Sequence, residues 1–196
     1  MKAISNRRSI RKFKEAEIAK EMINEILNAG MLAPSSKNRQ PWNFIVIGGE
    51  SKNKMLAAMN KGLLREREGE SLLPDSNRHL KAAEYTLEIM KQAPITVFVT
   101  NPFGINLSNN LSQEERIYEL CNAQSIGAAM ENMTLTATEL GLGSLWICDI
   151  YFAYEELSTW LSVEGTLIAA MTFGYADECP KHRPRKNAID VIEWRM

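Results

Sequence analysis

Three guanidiniums and one hydroxyl fall within five residues at Arg7-Arg8-Ser9-Ile10-Arg11. Arginine presents a planar fork of N–H donors that matches a phosphate, so this run can act as an anion site. A second basic run, Lys181-His182-Arg183-Pro184-Arg185-Lys186, stands near the other end of the sequence. Pro180 and Pro184 hold it extended, which lets alternate side chains such as Arg183 and Arg185 face one target. Each run by itself reads most simply as a solvated basic segment. If the two meet in space, their repulsion calls for an anion between them, and a phosphate would remove it.

Two further constellations carry hydrogen-bonding groups. The loop Pro34-Ser35-Ser36-Lys37-Asn38-Arg39-Gln40-Pro41-Trp42 is polar and lies between two rigidifying prolines. Gly141-Leu142-Gly143-Ser144 either ends a helix or lets the backbone approach a flat ligand. It lacks the third glycine of a dinucleotide fingerprint and precedes a strand instead of following one, which disfavours a Rossmann site. Hydrolytic chemistry is poorly supplied. The sequence has no Gly-x-Ser-x-Gly elbow and no His-Glu-x-x-His, and its two histidines are His79 and His182. No metal site is expected.

The elements that must position these groups follow from periodicity. Residues 15–32 carry Ile18, Met22, Ile23, Ile26 and Leu27 at helical spacing and predict an amphipathic helix. Strands are expected at Asn43–Ile47, Ile95–Thr100, Ser144–Cys148 and Thr166–Phe173, and shorter helices at 50–61, 79–92 and 153–161. Residues 62–78 are polar and aperiodic and read as a mobile flap over a site. Residues 114–140 form the longest helix, apolar on several faces in its middle, as in a core or a subunit interface. The tail turns apolar again at Ile189, Val191, Ile192 and Trp194, like an arm that packs on something.

Length and composition bound the class. The 196 residues, 45% apolar and 24% charged, suit one globular domain spanning 1–196. A net charge of −1 gives no basic excess of the kind nucleic acid or an anionic membrane would call for. Cys121, Cys148 and Cys179 are odd in number and widely spaced, which argues against a disulfide framework or a zinc knuckle. The first residues lack the apolar run of a secretory signal, and no stretch approaches a bilayer span, so a cytoplasmic location is expected.

Taken in order, these segments resemble the nitroreductase family. The resemblance rests on Arg7-Arg8-Ser9-Ile10-Arg11, on Ala33 to Trp42 as Ala-Pro-Ser-Ser-x-Asn-x-Gln-Pro-Trp, on Gly141 to Trp146 as Gly-Leu-Gly-x-x-Trp, and on Pro184-Arg185-Lys186 before Asp190-Val191-Ile192. It implies an α+β fold, the three-layer α/β/α sandwich of FMN-dependent nitroreductases. It implies FMN as bound cofactor and NADH or NADPH as co-substrate. Activated small-molecule acceptors, nitroaromatics or quinones among them, would be reduced in ping-pong order. It implies a homodimer with the flavin at the subunit interface, dimerised through the helix at 114–140, and a C-terminal arm, about 180–196, packed on the partner.

Residue by residue, the resemblance gives Arg7, Ser9, Arg183 and Arg185 to the flavin phosphate. Arg8 goes to the phosphate or ribityl region, and Arg11 to the pyrimidine edge. Pro34, Ser35, Ser36 and Asn38 would cover one ring face from the partner subunit, and Leu142 and Gly143 would bring backbone groups toward N5. The alternatives are a relative that fragments its flavin or acts on halogenated aromatics, and a non-catalytic flavin-binding protein. Residues 62–80 match nothing that can be anchored, and Asn187-Ala188 stand where the family has proline-leucine.

Overall fold

A computed structural model of the chain describes residues 2–106 and 108–196. Its one sheet has four antiparallel strands: β1 (Asn43–Ile47), β2 (Ile95–Asn101), β3 (Gly143–Ile147) and β4 (Thr166–Gly174), in the order β1-β2-β4-β3. The central pair, β2 and β4, read ITVFVTN and TLIAAMTFG, the apolar runs that burial on both faces demands. Helices are α1 (Lys2–Asn6), α2 (Lys20–Met31), α3 (Ser51–Arg67), α4 (Leu80–Gln92), α5 (Gln113–Glu139) and α6 (Tyr154–Leu161).

Side chains alternate across the sheet and fill two cores. Val97, Val99, Met171 and Phe173 meet α2 and α5 through Ile23, Ile26, Met130 and Met133. Phe98, Leu145, Ile147 and Ala170 meet α3, α4 and α6 through Met55, Met59, Met90 and Leu157. The molecule is therefore helices, sheet, helices: the α+β three-layer sandwich that the resemblance implies. Gly30 lets α2 lie close on α5, since a Cβ there would come within 2.9 Å of the Met133 side chain.

The long helix spans almost the expected residues. Its start is a capping box: the Ser112 hydroxyl accepts the Glu115 N–H at 3.3 Å, and the Glu115 carboxylate accepts the Ser112 N–H at 2.7 Å. Its second half is core, with Ile126, Met130 and Met133 buried, whereas Ile117, Tyr118 and Leu120 in its first half are exposed.

Two expectations are corrected. The helix expected from residue 15 begins at Lys20, because the preceding segment is held extended: Phe13 bridges Ala176, and the Lys14 N–H donates to the Tyr175 carbonyl at 2.9 Å. The expected flap at 62–78 is largely ordered secondary structure. Residues 62–67 finish α3, and Pro74–His79 form a 3-10 turn. The reason is Glu66, whose carboxylate is fully buried. It accepts from the Arg65 guanidinium at 2.7 Å, the Leu72 N–H at 2.9 Å and the Ser71 hydroxyl at 2.5 Å. Arg65 also reaches Glu156 on α6 at 2.8 Å. Burial alone would push the Glu66 carboxyl up, but the Ser71 hydroxyl, the Leu72 N–H and Arg65 outweigh it and hold it below its ordinary value. Among the described residues, no helix is long and apolar enough to cross a membrane.

Candidate functional site

The two basic ends of the sequence meet at the edge of the sheet. Ser9 bridges Ser144 of β3, and the Ile10 N–H donates to the Ser144 carbonyl at 2.9 Å, so the N-terminal segment lies along that edge strand. The chain leaving β4 is tied to the same segment. The Asp177 N–H donates to the Lys12 carbonyl at 2.9 Å, and Glu178 Oε1 accepts the Arg11 N–H and, at 3.2 Å, the Lys12 N–H. Beyond that join, the tail passes the N-terminal run. Together they line a cavity of about 110 Å³ with Arg7, Arg8, Ser9, Arg11, Arg183 and Arg185.

The charge around this cavity is one-sided. Lys181 and His182 line it as well, so six arginine and lysine side chains share it: Arg7, Arg8, Arg11, Lys181, Arg183 and Arg185. Arg7 has Glu131 of α5 at 3.9 Å. Arg8 turns back on the chain, with Nη1 donating to the carbonyls of Ser5 at 2.8 Å and Arg7 at 2.7 Å. Its Nε is buried and has no acceptor among the described residues. Arg11 Nη1 donates to the Ser9 carbonyl at 3.3 Å. Arg183 and Arg185 are exposed and form no ion pair among the described residues. A small, multiply charged anion would relieve this repulsion and give the Arg8 Nε its acceptor. The donor set therefore fits a phosphate group.

Gly141, Leu142 and Gly143 lie next to this cradle. Gly141, at φ 75°, ends α5, with the Leu142 N–H donating to the Ala137 carbonyl at 2.8 Å. Leu142 and Gly143 are buried. A Cβ at Gly143 would stand 2.8 Å from the Ile10 side chain, so glycine is what allows the N-terminal segment to approach β3 so closely.

The Pro34–Asn38 loop lies elsewhere. It docks on one face of the first half of α5, where residues 118, 121 and 125 line up at helical spacing. The Ser36 N–H donates to Ser125 Oγ at 3.3 Å, and that hydroxyl donates to the Cys121 carbonyl at 2.8 Å. Ser125 and Glu131 are six residues apart on α5, roughly 9 Å along its axis. Pro34, Ser36 and Asn38 are exposed, Ser35 is half-buried, and none of them lines the cavity of its own chain.

Three contributors were not marked by the sequence as site residues. Lys181 and His182 sit in a run that drew attention, but alternation singled out only Arg183 and Arg185. Glu178 has no local signal, because its role is set by a segment 166 residues away.

Known proteins similar to this chain agree with the fold. A family model described as the nitroreductase family matches residues 4–175. A Staphylococcus epidermidis relative, provisionally named an NAD(P)H nitroreductase, is 29% identical, with 91% of this chain and 88% of that protein covered. A BluB-like flavoprotein from Clostridium difficile 630 has a TM-score of 0.79 at 27% identity, covering 100% of this chain and 98% of its own. A provisionally named nitroreductase from Desulfovibrio desulfuricans, solved in complex with FMN, has a TM-score of 0.72 at 26% identity, covering 100% and 96%.

Proposed function

Because the chain belongs to the nitroreductase family, we propose that it is an FMN-dependent NAD(P)H oxidoreductase that works as a homodimer. The observation that carries this reading is the shared cavity, where Arg7–Arg11 and Arg183–Arg185 converge from opposite ends of the sequence. A phosphomonoester suits that donor set, and the Desulfovibrio desulfuricans relative was solved with FMN.

Arg7, Ser9, Arg183 and Arg185 hold the flavin phosphate. Arg8 offers its buried Nε toward the phosphate or ribityl chain. Arg11 stands toward the pyrimidine edge, where a fixed cation favours negative charge. Leu142 and Gly143 present backbone toward the ring. Pro34, Ser35, Ser36 and Asn38 serve the site of the partner subunit, which explains why they lie away from their own cavity. The exposed Ile117, Tyr118 and Leu120 on α5 and the exposed tail residues Ile189, Val191, Ile192 and Trp194 give the partner apolar surface to cover. The arm from about 180 packs on that partner, and residues 1–196 act as one domain.

When bound, FMN supplies two-electron transfer from NADH or NADPH to an acceptor such as a nitroaromatic or a quinone, the two using one cleft in turn. The chain binds, orients and supplies positive charge. The test is steady-state NADPH oxidation with a quinone present, compared with an equal concentration of free FMN. Turnover well above free FMN, with intact FMN recovered after aerobic reaction, supports the reading. Turnover no greater than free FMN favours a flavin-binding protein without catalysis, and flavin breakdown products favour a flavin-fragmenting enzyme.

A further inference from the structure

Three residues of the loop after Pro34 sit in the left-handed backbone region although none is glycine: Lys37 at φ 54°, Asn38 at φ 53° and Gln40 at φ 49°. Ordinary side chains adopt that region only when surrounding contacts impose it, and such positions gather at ligand clamps. Here the contacts are specific. Ser35 Oγ accepts the Gln40 N–H at 2.9 Å, the Gln40 amide donates to Asn38 Oδ1 at 3.3 Å, and the Ser36 N–H ties the loop to Ser125.

This backbone sets two cations on aromatic rings. The Arg39 guanidinium lies 5.0 Å from the Phe103 ring centre and 5.2 Å from that of Tyr118, and Lys37 Nζ lies 6.0 Å from Tyr118. A guanidinium stacked on rings is fixed in place while its edge N–H donors stay free. Among the described residues, neither Lys37 nor Arg39 forms an ion pair or a side-chain hydrogen bond. Both are exposed. The loop thus presents fixed positive charge, separate from the cavity assigned to the flavin phosphate; the Glu114 carboxylate accepts from the Tyr118 hydroxyl at 3.0 Å and forms no ion pair with either cation among the described residues.

We infer that Arg39, seconded by Lys37, binds the phosphate groups of the nicotinamide donor at the site of the partner subunit. The inference rests on the proposed role of this loop over a flavin ring in trans. A donor whose nicotinamide reaches that ring must carry its phosphates past whatever borders the ring face. Arg39 offers the planar fork that suits them.

The experiment compares the wild type with R39A and R39K, using NADPH, NADH and the phosphate-free donor 1-benzyl-1,4-dihydronicotinamide. In R39A, the kcat/KM ratio of NADPH to the phosphate-free donor is expected to fall about three- to tenfold through KM, the scale of a partly exposed charge contact. R39K is expected to lose less. A fall shared by NADPH and NADH assigns the contact to the pyrophosphate, and a fall with NADPH alone assigns it to the 2′-phosphate. An unchanged ratio overturns the inference. So does a loss of FMN affinity in R39A with the ratio kept, which would make Arg39 a prop for the loop. A wild-type protein that binds no FMN would sink the underlying reading first, and this inference with it.

Discussion

Ser36 points its backbone inward, to Ser125 at 3.3 Å, and leaves its side chain exposed. A bulky replacement there has room in a single chain and none against a flavin ring in an assembled dimer. With FMN removed from both proteins, Ser36→Trp is therefore expected to melt within about 2 °C of the wild type, as surface changes usually do, yet to fail to take FMN up again. Thermal melts paired with flavin fluorescence check both halves, and full FMN occupancy in the variant would remove the loop from the ring face. Arg8 illustrates a different division of labour. Two contacts from its Nη1 hold the turn after α1, and its buried Nε has no acceptor among the described residues and is left for a ligand.

The helix ends show what holds the layers in register. Glu66 closes α3 against the chain that follows it, and Arg65 carries the same network to α6. The Glu66 carboxyl is held below its ordinary value, so its contribution to stability is present above the unfolded-state pKa, about 4.3 for glutamate, and fades as pH falls through the folded value. Glu66→Gln should cost about 1–3 kcal/mol at pH 7, the scale of a charged hydrogen-bonded contact, and that gap should narrow below about pH 4. Urea melts across pH 3–7 check this, and a gap that stays constant throughout would deny Glu66 the role.

The same elements show how far a sequence can be read. β2 and β4 were legible because β-branched apolar runs have few other uses, and α5 was legible because a proline-free stretch of many turns is apolar on several faces in its middle. The end of α3 was not. Leu63 extends the buried Met55 and Met59 spacing, and Arg65, Glu66 and Arg67 stay helical because Glu66 accepts hydrogen bonds from Ser71 and Leu72 while Arg65 pairs with Glu156. The true start of α2 was hidden by distance in sequence, since residues 175–177 hold the segment before it. At the site, the basic runs announced their chemistry but not their meeting, because convergence depends on β3 and on Glu178, far away in sequence.

For the whole molecule, a single chain leaves apolar side chains exposed at several places, among them the first half of α5 and the tail, where Ile189 is 87% exposed and Trp194 76%. A second copy covering both is the economical reading. Truncation after Lys186 keeps Arg183 and Arg185 and removes Ile189, Val191, Ile192 and Trp194. It is expected to weaken the dimer by at least about tenfold, since burying several large side chains is worth a few kcal/mol, and to weaken FMN binding in parallel. Sedimentation equilibrium at several concentrations reads the first effect, and an unchanged dimer would show that the arm does not pack on a partner.

The central claim is that both ends of the sequence grip one phosphate, and paired titrations with FMN and riboflavin test it most directly because the two ligands differ only in that group. FMN is expected to bind the wild type roughly 100-fold or more tightly than riboflavin, the scale of two charge-assisted contacts. Arg7→Ala is expected to remove about 1.5–3 kcal/mol of that difference while leaving riboflavin affinity nearly unchanged. Equal affinity for the two flavins, or a preference untouched by Arg7→Ala, would contradict the account.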